Sequence, residues 1–340
     1  MIGAIGWLVA SLLISLLLVR VSIAYAHRRG LLDQPGHRRS HDQPTARGGG
    51  AGVVVAALIC VTGALLRPSS TWPLGLVSSV AGALLLVALA GWWDDHRPLP
   101  VLPRIGAQLL AVSWFAIALV LAALPLGWLP LLLVAGIWSI NLHNFMDGID
   151  GLLAQQAIFV GAGLAGLAWR TGEPAVALAA LALAAAALGF WIYNRPPARI
   201  FMGDVGSGSI GLLVFAFSAM LWRVDRTLLW PAMILSSAFV ADASLTLLTR
   251  LWHGRRWYAA HREHLYQWMI RRGGTHGAVD AAYMAWNLLI AAPGAWLACS
   301  HPQAGWAVTI VVYIIATAVW LSQKRRCLRR NPSKDRHVVA

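Results

Sequence analysis

The chain has 340 residues, 59% of them hydrophobic and only 12% charged, with a mean hydropathy of +0.65. A soluble domain carries about 25% charged residues, so a water-soluble globule is excluded. The net charge of +14 does not indicate a nucleic-acid partner, because in a membrane chain basic residues first report orientation and contact with anionic lipid.

A helix needs about 20 apolar residues to span a bilayer. The hydropathy pattern predicts eleven spans, at roughly 2–26, 49–66, 73–93, 104–122, 126–146, 151–169, 174–193, 207–222, 228–250, 279–299 and 304–322. The first apolar run has no basic residue before it and continues to about Arg20, which is not the pattern of a cleavable signal. Cys60, Cys299 and Cys327 have no spacing that suggests a disulfide framework or a zinc site.

Eleven spans place the termini on opposite sides. With the N-terminus outside, only Arg67, Arg170, Arg223 and Arg226 of the 27 Lys and Arg residues fall on the outer side. The positive-inside rule therefore predicts a periplasmic N-terminus and a cytoplasmic C-terminus in a bacterial inner membrane. Trp72, Trp128, Trp169, Trp222, Trp230 and Trp306 are expected at the outer interface, and Trp92, Trp93, Trp252, Trp257 and Trp320 at the inner one. The expected fold is an all-α polytopic membrane protein with its active site at the cytoplasmic face. One transmembrane catalytic domain is expected over 1–323 and a basic cytoplasmic tail over 324–340.

Five polar stretches fall at cytoplasmic span ends or loops, although they were not used to set the topology. In chain order, the first loop holds His37-Arg38-Arg39-Ser40-His41 and Pro44-Thr45-Ala46-Arg47-Gly48-Gly49-Gly50. Its arginines suit phosphate, or serve only the positive-inside rule. Asp94-Asp95 closes the third span; adjacent carboxylates repel unless a cation or basic group lies between them. The bland reading is a solvated acidic helix end.

The stretch Asn141-Leu-His-Asn144-Phe-Met-Asp147-Gly148-Ile-Asp150-Gly151 repeats polar groups every three residues, one slowly turning helical face. Carboxylate and amide oxygens suit a hard cation, and amides also suit a nucleobase. The two glycines suggest a helix break. Met202-Gly203-Asp204-Val205-Gly206-Ser207-Gly208-Ser209 opens the eighth span; free N–H groups and small residues there suit an anion, with Asp204 beside it for a shared metal. The alternative is a helix start with glycines for close packing. His261-Arg262-Glu263-His264-Leu-Tyr266-Gln267 lies in a loop with the character of an interfacial helix. No third ligand supports a zinc pair. Asp242, inside the ninth span, is either functional or paired.

Together these stretches resemble the polyprenyl-phosphate N-acetylhexosamine-1-phosphate transferases of glycosyltransferase family 4. The matching text is Asp94-Asp95, Asn141-x-x-Asn144-Phe-x-Asp147-Gly-x-Asp150-Gly151, Met202-Gly203-Asp204-Val-Gly206-Ser207, the first loop, and His261-Arg-x-His264-x-Tyr266-Gln267. It covers nearly the whole chain to about residue 280. The last motif is similar to that of the branch that starts O-antigen and related surface polysaccharides. The triple-histidine motif of the peptidoglycan branch is absent. Ala46 stands where the branch usually has a second proline.

The resemblance implies attack of undecaprenyl phosphate on the β-phosphorus of a UDP-N-acetyl sugar, with release of UMP. It implies Mg2+ as cofactor, with Mn2+ as the alternative, held by Asp204 and Asp147. Arg47, Asn141, Asn144, Asp147, Asp150, His261 and Arg262 are expected to bind substrate, and Asp94, Asp95 and His264 to serve catalysis. Whether Asp94 or Asp95 is base, nucleophile or positioning group stays open, because a phosphate monoester with a second pKa of about 6 is mostly a dianion already. Expected partners are the lipid carrier, the nucleotide sugar and the bilayer, with no nucleic acid; a homodimer is the assembly considered. The rival class is a transporter of an anionic or lipid-linked substrate, which would place polar groups near the midplane, often with repeat symmetry.

Overall fold

A computed structural model describes residues 2–34, 44–256 and 261–329. The residues His37 to His41 of the first loop, Trp257 and the tail beyond 329 lie outside the described residues. The helices are α1 (Ile2–Arg29), α2 (Gly50–Leu65), α3 (Leu74–His96), α4 (Val101–Leu121), α5 (Leu129–Phe145), α6 (Leu152–Arg170) and α7 (Pro174–Asn194). They continue as α8 (Asp204–Val224), α9 (Leu229–Leu235), α10 (Ser237–Trp252), α11 (Leu265–Arg271), α12 (His276–Trp286), α13 (Ala292–Ser300) and α14 (Gly305–Arg329). The only strands among the described residues, Leu32–Asp33 and Thr45–Ala46, pair antiparallel at the mouth of the first loop.

Among the described residues, nine helices are long and apolar enough to cross a membrane, α12 and α13 counting as one. The pair α9 and α10 forms a tenth, bent by 75° at Ser236. The sixteen-residue α2 is apolar but short. Each of the eleven expected spans thus has its helix, and the protein is an all-α multi-pass membrane protein. The departures have local causes. A π turn, Asn287–Ala291, separates α12 from α13 just before Pro293, whose ring denies the preceding turn its hydrogen bond. The turn directs the buried Asn287 onto Gln156 Oε1 at 2.7 Å. At the α9–α10 bend, the carbonyl of Leu235 accepts from Gln156 Nε2 at 3.4 Å, so a carbonyl at the break still finds a donor.

Lipid gives helices little hydrophobic reason to associate, so small residues and hydroxyls must supply close contact. The alanine-rich α7 packs against α1, α2 and α6. Ser11 and Ser15 of α1 donate to the Ala182 and Ala186 carbonyls of α7, both at 2.7 Å. The fully enclosed α8 is wrapped by α2, α3, α5 and α6. Apolar side chains such as Leu17, Leu110, Leu121 and Val134 stay exposed on the outer surface, as lipid contact requires.

Trp72, Trp222 and Trp320, expected at the interfaces, are buried against protein; Trp72 donates to Glu173 at 2.9 Å and Trp320 to Asp242 at 3.0 Å. The helix α14 runs to Arg329, so the expected tail over 324–340 begins within this helix, with Lys324 lying over the Trp320 ring at 4.1 Å.

Candidate active site

The C-terminal ends of α3, α5 and α7 and the N-terminal ends of α4, α6 and α8 come together at one end of the bundle. Beside them lies a cavity of ≈ 310 Å³, bordered by the ends of α5, α7 and α8, the α5–α6 connection, the first loop and the 262–270 segment. Arg47, Asn144, Asp147, Asp150, Asp204 and Arg262 line it. The polar groups lie at one end of the spans rather than at mid-depth, which favours the enzyme over the transporter.

The start of α8 is built by backbone contact. Gly49 and Gly50 donate to the carbonyls of Phe201 (2.9 Å) and Met202 (2.8 Å), and Phe201 donates to Ala46 (2.8 Å). Gly50 sits directly on the Gly206 backbone, where any side chain would collide. This crossing carries Arg47 to the first turn of α8. Gly203, at φ +76°, turns the chain into the helix; a Cβ there would lie 2.5 Å from Asp95 Oδ2.

Asp95, from the last turn of α3, receives the Asp204 and Val205 N–H groups at 2.9 and 3.1 Å and Arg47 Nε at 3.0 Å. It therefore caps α8 from a neighbouring helix, satisfying amides that a helix start leaves free. Asp94 accepts from Leu99 N at 2.6 Å and Arg104 Nη1 at 3.2 Å. Arg104 also reaches Asp204 Oδ2 at 3.3 Å, while Arg47 Nη2 reaches Asp204 Oδ1 at 3.5 Å. Asn144 Nδ2 donates to Asp204 Oδ1 and to Ser207 Oγ, both at 3.0 Å. Asp204 is thus held between two guanidiniums and an amide.

Asp147 follows the end of α5. Burial pushes its pKa up to about 8, and the Asp204 and Asp95 carboxylates push the same way against Arg47. Asp150 accepts from Ala198 N at 3.0 Å and lies 3.1 Å from His276 Nδ1. The expected single polar face does not extend along a helix, because α5 ends at Phe145. Asn144 occupies its last turn, and Asp147 and Asp150 occupy the connection to α6.

The structure does not bring every expected residue to the cavity. Asn141 lies a turn deeper, its Nδ2 donating to Gln108 Oε1 at 2.7 Å and to the Ile137 carbonyl at 2.8 Å. His261 and His264 neighbour each other, ring centroids 4.9 Å apart, behind the cavity wall. Burial lowers both pKa values, that of His261 to about 4. From the same segment Arg262 and Gln267 reach the cavity. Asp33, at the start of the first loop, and Asn194 also line the cavity, and Arg104 reaches Asp204; Asn194 and Arg104 were not among the expected site residues. Arg104 had been counted only toward orientation; its signal was an isolated cation ten residues after Asp94. Asn194 bridges Gly151 N and the Ile200 carbonyl, each at 2.9 Å, a role with no sequence signature.

The family model for glycosyl transferase family 4 matches residues 77–222. A probable undecaprenyl-phosphate N-acetylglucosaminyl 1-phosphate transferase of Bacillus subtilis (strain 168) is 27% identical over 291 residues, 81% of this chain and 80% of the relative. A phospho-N-acetylmuramoyl-pentapeptide-transferase of Synechococcus sp. (strain RCC307) is 30% identical over 278 residues, 74% of this chain and 72% of its own length. A protein of the same description from Levilactobacillus brevis is 28% identical over 229 residues, 65% of this chain and 63% of the relative. The family match runs from α3 into α8, and with 30% identity to the Synechococcus relative over 74% of this chain, the chain belongs to glycosyl transferase family 4.

Proposed function

We propose that the protein transfers an N-acetylhexosamine 1-phosphate from a UDP-sugar to undecaprenyl phosphate at the cytoplasmic face of a bacterial inner membrane. UMP is released, and the lipid-linked sugar diphosphate starts an O-antigen or related surface polysaccharide. The observation that carries this reading is Asp204 held between Arg47 and Arg104, in a cavity at the span ends that Arg47, Asn144, Asp147 and Asp204 line together. Joining a lipid phosphate to a diphosphate concentrates negative charge, and positioning plus electrostatic compensation is what such a transfer needs. The Bacillus subtilis relative is named for N-acetylglucosaminyl 1-phosphate transfer. The His261-x-x-His264-x-Tyr266-Gln267 pattern, in place of a triple histidine, supports a donor without a peptide.

The residues fit a Mg2+ ion that shares the substrate's phosphates. Among the described residues no group of three or more His, Cys, Asp or Glu side chains forms a ready-made metal site. Mg2+ in phosphate sites is usually held by one or two carboxylates with phosphates and water, and Asp204 and Asp147 would provide that pair. Burial, with the Asp204 and Asp95 carboxylates adding to it, raises the Asp147 pKa, and a bound cation would oppose both. When bound, the ion would neutralise charge on the diphosphate; Mn2+ could serve equally. Arg47, Arg104 and Arg262 would turn to phosphate oxygens, and Asn144 would orient Asp204. An oxygen of the lipid phosphate forms the new bond to the β-phosphorus, and the bond from that phosphorus to UMP breaks. With the lipid phosphate already mostly a dianion, Asp95 acts by holding the start of α8 and Asp94 by holding Arg104.

The test is UMP release by protein in lipid nanodiscs, with undecaprenyl phosphate and a panel of UDP-N-acetyl sugars, repeated with EDTA and with Asp204→Asn. UMP formed only with lipid and metal, and lost in the variant, supports the reading and names the sugar. No UMP from any donor, together with no binding of nucleotide sugar or lipid phosphate, sinks it.

A further inference from the structure

Asp242 lies in α10, inside the membrane-spanning part, only 2% exposed. Its Oδ1 accepts from Leu265 N (2.8 Å), Trp320 Nε1 (3.0 Å) and Thr246 Oγ1 (3.2 Å). Its Oδ2 accepts from the Tyr283 hydroxyl (2.6 Å) and Tyr266 N (3.4 Å). These donors come from α10, α11, α12 and α14, and none is a lysine or arginine. We propose that Asp242 is a positioning residue for the transfer: its carboxylate fixes the 261–267 segment so that Arg262 and Gln267 form the cavity wall. This rests on the function proposed above.

A buried carboxylate is a poor way to hold helices together, since well-packed apolar groups do as well or better. What it adds is direction. The Leu265 and Tyr266 amides begin α11, and Asp242 aims them at a fixed point on α10. The segment is then set on both sides of that point. Arg262, three residues before Leu265, and Gln267, just after Tyr266, both line the cavity, and Gln267 Oε1 also accepts from His264 N at 3.3 Å. The Tyr266 ring enters the core, and its hydroxyl donates to the Phe145 carbonyl at 2.9 Å. It passes over Gly148, where any side chain would collide with it. A continuous path therefore runs from Asp242 through Tyr266 to the connection that carries Asp147. Asp242, Tyr266 and Tyr283 are not themselves among the residues lining the cavity, which Tyr266 reaches only through Gly148.

Asp242→Asn keeps the shape but offers one accepting oxygen and turns an NH2 group toward donors. The first readout is hydrogen exchange of the Leu265 and Tyr266 amides, with no substrate present. Their exchange is expected to speed up by about tenfold or more, the loss of roughly one charge-assisted hydrogen bond. The second is a double-mutant cycle on UMP release. Asp242→Asn is expected to raise KM for the UDP-sugar about tenfold with kcat within about threefold, and Arg262→Ala is expected to add little in the Asp242→Asn background. Unchanged exchange, an unchanged KM, or full additivity with Arg262→Ala overturns the proposal; a merely structural carboxylate would lower the folded fraction without touching KM. If Asp242→Asn does not fold, Tyr283→Phe removes one donor and is read in the same way, with a smaller shift. If the wild type releases no UMP from any donor, the proposed function fails by itself, while the exchange result still decides whether Asp242 orders the segment.

Discussion

Replacing Asp95 by Asn separates a positioning role from a chemical one, the choice that the sequence leaves open for the acidic pair. As a cap, Asp95 receives two backbone amides of α8 and the Arg47 guanidinium, and its side chain is only 4% exposed. An asparagine at this position can accept one amide with its oxygen, while its NH2 faces either the second amide or Arg47. One charge-assisted hydrogen bond is lost, about 1.5–3 kcal/mol. Arg47 is 37% exposed and keeps Asp204, so losing its partner adds only about 0–1 kcal/mol. The expected destabilisation is therefore about 1.5–4 kcal/mol, read from denaturant unfolding in nanodiscs. Activity should fall along with it, because Asp204 is the first residue of the helix that loses its cap. A displacement near 1 Å can cost about 100-fold in rate. A nucleophile would behave differently, leaving stability nearly unchanged and reducing turnover to background. Stability within about 0.5 kcal/mol of wild type, combined with complete loss of UMP release in saturating Mg2+, would refute the cap and restore a chemical role, as base or nucleophile.

Arg104→Ala removes the cation shared by Asp94 and Asp204; kcat/KM is expected to fall about 100-fold in the UMP assay, with Lys recovering part of it, and an unchanged value would remove Arg104 from the site. Gly50→Ala drives a methyl into the Gly206 backbone and the Met202 carbonyl, so a loss of about 3 kcal/mol is expected by thermal unfolding, whereas Gly75→Ala, with nothing within 4 Å, should be neutral. The depressed pKa of His261 predicts a pH effect. A histidine whose folded pKa is about 4, against about 6.5 unfolded, binds fewer protons folded than unfolded between those values. Its contribution is present above about pH 6.5 and is lost as pH falls toward 4. His264 shifts the same way, so unfolding midpoints should drop between pH 7.5 and 5, and His261→Gln should flatten that slope.

The spans were legible because bilayer thickness fixes their length and apolar composition marks them, and the convergence at one end followed from the alternation of up and down helices. The chemistry-bearing types, Asp204, Asp147, Asn144 and Arg47, were legible because so few polar residues are spent in this chain that each asks for a reason. What the sequence could not supply was where side chains find partners far along the chain. The repeat of three from Asn141 to Asp150 read as one helical face, but α5 stops at Phe145, and Asn141 turns to Gln108 instead. Asp95 and Asp242 show the same limit from opposite directions. Asp95 looked like chemistry, and its carboxylate also accepts the first amides of α8, 109 residues later. Asp242 looked like an isolated anomaly and caps α11, 23 residues later. In both, an aspartate borrowed from another helix satisfies the first amides of the helix it fixes. Each of those helices borders the cavity through a residue next to the cap: Asp204 on α8, Gln267 on α11. Lipid provides no water for a free helix start inside the bundle, so a membrane enzyme that builds its site from helix ends must find such caps internally. Asp95 and Asp242 are therefore the means by which two helix ends, those of α8 and α11, are held at fixed positions beside one cavity.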